Sequence, residues 1–70
     1  MENKNDKITI YRDEKNFYDK LKEIRNMKIS VNTEWSGAYL VSTYTLSNGE
    51  VWEYWEDMDY GVSYCLTRVN

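Results

Sequence analysis

The chain has 70 residues, a single cysteine, no histidine, no proline and a net charge of −3. That length makes one small domain. The lone Cys65 excludes an intramolecular disulfide, and the missing histidine removes the commonest general base and neutral metal ligand. Through Lys28 there are eight bases and six acids, a net of +2; from Ile29 onward six acids face the one base Arg68, a net of −5.

Met1 to Asp6 is polar and reads as a frayed terminus, leaving residues 7–70 as one small α+β domain. Lys7 to Arg12 carries β-branched residues at positions 8, 9 and 10 and reads as a short edge strand. Asp13 or Glu14 then opens a helix, since Asp is a favoured N-cap and acids suit the first turn. Phe17, Leu21 and Ile24 recur at helical spacing, with Tyr18 and Met27 able to widen the stripe. Lys15 and Asp19 are placed for an i,i+4 ion pair, and Lys20, Lys22 and Arg25 fall on the wet side. From Met27 to Trp35 apolar and polar residues alternate strictly, which predicts a half-buried strand ending at the turn signal Ser36-Gly37.

The region from Tyr39 to Val69 organises the rest. Asn48-Gly49 is a strong hairpin signal, because a two-residue type I′ turn needs positive φ at both central positions. Such a turn pairs Leu46 with Val51, Tyr44 with Glu53 and Ser42 with Trp55 on one face. It pairs Thr45 with Trp52, Thr43 with Tyr54 and Val41 with Glu56 on the other. Neither face is then cleanly apolar, and a slip of one residue exchanges them. An acidic turn near Asp57-Met58-Asp59 leads to a last strand over Gly61 to Val69. The predicted order is β-α-β-β-β-β: one helix packed on a twisted, mainly antiparallel sheet of four to five strands.

Cys65, in a strand, reads as a buried small apolar residue rather than a nucleophile. Asp57-x-Asp59-x-Gly61 begins like a calcium loop, but the fifth and twelfth positions are Gly61 and Arg68, where oxygen ligands are needed. The three glycines are too scattered for a phosphate-binding loop, and paired carboxylates need a cleft that so short a chain rarely encloses. The expectation is a protein that is not an enzyme and carries no cofactor or metal. No leader or membrane-spanning run is legible, so the expected location is a reducing cytoplasm.

Seven tyrosines and three tryptophans are more than so small a core is expected to absorb, and such side chains dominate binding hot spots. Glu50, Glu53, Glu56, Asp57 and Asp59 stand among them without a base from residue 50 to 59. Acids on alternate strand positions lie about 6.7 Å apart, roughly two base steps along a nucleic-acid strand. A nucleic-acid phosphate would be repelled, whereas a basic protein groove would be attracted. The expected function is therefore a protein-binding module that blocks a basic nucleic-acid-binding surface on a larger protein. Glu50, Glu53, Glu56, Asp57 and Asp59 would steer it, and Trp52, Trp55 and Tyr60 would anchor it. Two alternatives stand beside this one: a homodimeric structural or regulatory domain using the aromatic face, and a nucleic-acid-binding domain using the bases of the helix. In being short, acidic over its second half, rich in Asn, Lys and Tyr and free of catalytic motifs, the chain resembles small proteins of bacteriophages and mobile elements. Those proteins block host nucleases or polymerases, anti-CRISPR proteins among them. The resemblance is one of composition; it implies an inhibitor and transfers no site.

Overall fold

The computed structural model describes residues 7–70; the reading of residues 1–6 as a frayed terminus lies outside them. Six elements follow the predicted order: β1 (Ile8–Tyr11), α1 (Phe17–Met27), β2 (Lys28–Ser36), β3 (Tyr39–Leu46), β4 (Val51–Asp57) and β5 (Val62–Arg68). The strands form one sheet in the order β1-β5-β4-β3-β2, antiparallel at every junction. The chain from β2 to β5 is a meander. β1 joins its far side, and α1 connects the two edges across one face.

The helix begins later than its acidic residues suggest. The Glu14 carboxylate accepts a hydrogen bond from the Tyr11 backbone N–H at 2.8 Å, and the Glu14 N–H donates to the Tyr11 carbonyl at 2.9 Å. Glu14 therefore closes a turn after β1, and α1 starts at Phe17, behind Asn16, whose side chain makes no cap. Phe17, Leu21 and Ile24 are buried as their spacing predicts, Met27 packs at the margin, and Tyr18 stays exposed. The ion pair on the helix is Lys20 with Glu23 at 3.2 Å rather than Lys15 with Asp19.

The central hairpin departs from prediction by one residue, and the departure sorts the sheet. Gly49 N–H donates to the Leu46 carbonyl at 3.0 Å, and Leu46 N–H donates to the Glu50 carbonyl at 2.9 Å. This is a three-residue loop, Ser47-Asn48-Gly49, in which Gly49 alone takes positive φ (91°). Asn48 stays out of the left-handed region and instead accepts the Glu50 N–H on its amide oxygen at 3.0 Å. Tyr44 now opposes Trp52, and Ser42 opposes Tyr54, on the face under the helix. Thr45 opposes Val51, Thr43 opposes Glu53, and Val41 opposes Trp55 on the other. The two-residue turn of the sheet lies at Gly37-Ala38, where Gly37 has φ 62°.

Phe17, Leu21 and Ile24 meet Ile10, Tyr44, Leu46, Trp52, Tyr54 and Leu66 in one core between helix and sheet. Phe17, Ile24 and Leu66 retain no exposure, and each such side chain contributes about 1.5–3 kcal/mol on burial. Lys20 Nζ sits 5.3 Å from the centre of the Trp52 ring and Arg25 Cζ 5.6 Å from that of Tyr54, so two helix bases cover the core's rim.

β2 is not half-buried as its alternation predicts: all nine residues are exposed. Val31, Thr33 and Trp35 oppose Tyr44, Ser42 and Leu40, which places them on the helix side of the sheet. The helix does not reach them. Eleven helical residues span about 16 Å, against about 30 Å for a nine-residue strand. Moreover, α1 runs into β2 without a loop, Lys28 already being extended, so the helix cannot fold back over it. Among the described residues no helix is long and apolar enough to cross a membrane.

Candidate protein-binding face

Among the described residues nothing covers the face of the sheet away from α1, and the register decides what it shows. Tyr39, Val41 and Thr43 come from β3; Glu53, Trp55 and Asp57 from β4; Cys65 and Thr67 from β5; Thr9 and Tyr11 from β1. A bulge adds one more residue. Trp55 opposes Cys65 and Glu56 opposes Ser63, so Tyr64 has no partner of its own on β4. Bulged residues re-aim side chains, and here the Tyr64 ring joins those of its neighbours.

The result is a linked row of four rings across the sheet. Tyr11 and Tyr64 meet edge to face at 5.8 Å, Tyr64 and Tyr39 lie 5.1 Å apart, and Tyr39 meets Trp55 edge to face at 5.5 Å. Such pairs are worth about 0.5–1.5 kcal/mol beyond area burial and hold one another in place. Trp55 is fixed further by its indole N–H, which donates to Glu53 at 3.0 Å. Tyr11 and Tyr64 keep more than two-fifths of their surface exposed, while Val41 and Cys65 beneath the row are buried. The Tyr64 phenol is pushed up, first by the neighbouring Tyr11 and then by desolvation, so it remains a neutral hydrogen-bonding group. Burial pushes the Cys65 thiol up, against a lowering contact with the Thr67 hydroxyl at 3.8 Å, which makes it a poor nucleophile.

Two depressions flank the row. The larger, about 790 Å³, is lined by Tyr11, Arg12, Asp13, Asp57, Tyr60, Val62, Ser63 and Tyr64. The smaller, about 270 Å³, is lined by Glu34, Trp35, Ser36, Val41, Thr43, Glu53 and Trp55. Each thus includes a carboxylate beside an aromatic ring.

The structure brings together three of the residues singled out in the sequence, Glu53, Trp55 and Asp57, on this face. Asp59 and Tyr60 lie in the adjoining β4–β5 turn, where Tyr60 is 80% exposed and Asp59 N–H donates to Asp57 at 3.1 Å. Glu56 belongs to the opposite side, across from Leu40 and Ser63. Trp52 is 3% exposed in the core and presents no anchor; its indole N–H donates to Glu50 at 2.8 Å. Glu50 also lies 3.8 Å from Arg68, so its charge is partly answered within the chain. Tyr11, Tyr39 and Tyr64 join the face unannounced. Tyr39 and Tyr11 follow from strand parity once the hairpin register is known; nothing in the sequence marks the bulge at Tyr64. Among the described residues no three His, Cys, Asp or Glu side chains converge to hold a metal ion. No protein-family model, no curated protein and no solved structure matches the chain.

Proposed function

We propose that this protein is a non-enzymatic binding module whose open sheet face docks on a basic surface of a larger protein, one that ordinarily holds nucleic acid. The observation that supports this reading is the row of four linked rings edged by Glu34, Glu53 and Asp57, on a chain with no base from Ile29 to Thr67. Rings already packed on one another lose little freedom on docking. The carboxylates steer a basic partner and raise its on-rate. Nucleic acid itself is a poor occupant, because phosphate neutralisation supplies most of such affinity and this face repels phosphate. The helix is little better suited to it, since Lys20 and Arg25 are engaged over Trp52 and Tyr54.

The test is capture from a cell lysate on the immobilised protein, followed by washes of rising salt, run beside two variants. Glu53→Lys with Asp57→Lys reverses the open face; Glu56→Lys makes half that charge change on the other side. The expected result is a basic nucleic-acid-binding protein, eluted by salt, lost with the double variant and kept with Glu56→Lys. Retention of the same protein by the double variant, with unchanged salt release, would overturn the reading.

A further inference from the structure

The smaller depression beside the aromatic row, about 270 Å³, is built by cross-strand register. Glu34 on β2 opposes Val41 on β3, and Val41 opposes Trp55 on β4. One step along the open face, Thr43 opposes Glu53. The buried Val41 and half-buried Thr43 therefore lie between two glutamates, with Trp55 beside them. Strand spacing and residue rise put the two glutamate backbones about 12 Å apart. Both carboxylates are positioned: Glu34 accepts the Asn32 amide N–H at 3.2 Å, and Glu53 accepts the Trp55 indole N–H at 3.0 Å. Trp55 is held as well by its edge-to-face contact with Tyr39.

No base lines this depression. The ion pairs of the described residues are Lys20 with Glu23 and Arg68 with Glu50, and neither involves Glu34 or Glu53. Lys28 and Arg68, which bracket the base-free stretch, oppose Leu46 and Trp52 on the helix side. The larger depression differs, because Arg12 brings a positive charge of its own beside Asp13 and Asp57.

We propose that the smaller depression receives the guanidinium of an arginine from the basic partner, stacked on Trp55 between Glu34 and Glu53. This inference rests on the docking reading above and names the side chain that the face takes. The charge admits a cation, and the shape of the site selects arginine. Tryptophan is the best aromatic partner of a cation. A guanidinium is flat and weakly hydrated, so it leaves water for an indole surface at less cost than an ammonium. It also donates from more than one edge and so answers carboxylates on opposite sides, whereas a lysine ammonium is a compact point charge. A divalent cation is ill served, since it needs several oxygen ligands close together and no three acidic side chains converge among the described residues. With ring and carboxylates already positioned, little side-chain freedom is lost when the depression fills.

The test is a titration of the full chain, labelled with heavy nitrogen, with a blocked peptide of one arginine between two glycines, and separately with its lysine counterpart. Proton–nitrogen correlation spectra follow both. The expected result is a saturable, millimolar shift of the Trp55 indole and of the Val41 and Thr43 amides, with the core Trp52 indole still. The lysine peptide should bind about threefold or more weakly. Glu34→Gln and Glu53→Gln keep an acceptor oxygen for Asn32 and Trp55; each should weaken arginine binding about two- to fivefold, and both together about tenfold. Glu56→Gln, on the other side of the sheet, should leave it unchanged. No saturable shift at Trp55, equal binding of the two peptides, or an affinity unchanged in the double glutamine variant would overturn the inference. Successful lysate capture beside such a result would leave the docking reading standing without its arginine site, and arginine binding beside a failed capture would do the reverse.

Discussion

Trp52 and Trp35 have exchanged the positions that sequence patterning gives them, and a truncation series reads the exchange directly. Trp52→Ala empties a site that is 3% exposed, ends the 2.8 Å hydrogen bond to Glu50 and removes the ring beneath Lys20. Loss of a buried tryptophan costs about 3–5 kcal/mol. A chain of this length has about 4–10 kcal/mol in all, so the variant should lose a large share of its stability and unfold at a much lower urea concentration. Trp52→Phe, which keeps most of the ring and loses the hydrogen bond, should cost about 1–2 kcal/mol. Trp35→Ala removes a side chain 67% exposed on an edge and should move stability by no more than about 0.5 kcal/mol. Urea unfolding followed by far-UV circular dichroism, in protein dilute enough to be monomeric, gives all three values from midpoint and slope. Trp52→Ala within about 1 kcal/mol of the parent, or Trp35→Ala as costly as Trp52→Ala, would refute the register of the central hairpin.

Two further outcomes are expected. Gly49→Ala places a Cβ in open space but at φ 91°, so its cost is one of backbone strain alone, about 1–2 kcal/mol by urea unfolding. Burial raises the Tyr54 phenol above its ordinary value of 10.0, against a 2.6 Å hydrogen bond with Ser63 that lowers it and with Glu56 adding to the rise. The folded state therefore holds this proton more tightly than the unfolded one. Its contribution is complete below pH 10 and declines as pH climbs toward the folded value. Tyr54→Phe should lose stability at neutral pH yet show a shallower alkaline decline, measured as urea midpoints between about pH 8 and about pH 11.

The order of elements was legible because it rests on local signals: the helical spacing of Phe17, Leu21 and Ile24, the strict alternation from Met27, and a glycine at each of the three hairpin turns. Register was not. Asn48-Gly49 supports a two-residue or a three-residue loop on local grounds, and what decides between them is whether Trp52 and Tyr44 lie together under the helix, which is a tertiary gain. The same limit governs β2. Its alternation reports that one side is apolar, and only the length and direction of α1 settle that this side stays open. For the candidate face, Glu53, Trp55 and Asp57 could be read from their spacing on alternate positions. Tyr64 depends on a bulge that has no signature in its residues.

The placement of β1 bears on how the molecule closes and opens in time. Each junction from β2 to β5 joins neighbours in the chain, but β1 pairs Ile8 with Arg68, 60 positions away. By the logarithmic law for loop closure, bringing together ends about 55 residues apart costs about 2 kcal/mol more than closing a five-residue loop. The meander can therefore assemble first from local contacts, while the seam between β1 and β5 waits for the rest. On the return path the same seam is first to part. Because Ile10 sits in the core beside Phe17 and Leu66, its opening wets the interior from the edge opposite β2. The protein's weak point is then one strand, four residues long, at the edge of the sheet opposite β2.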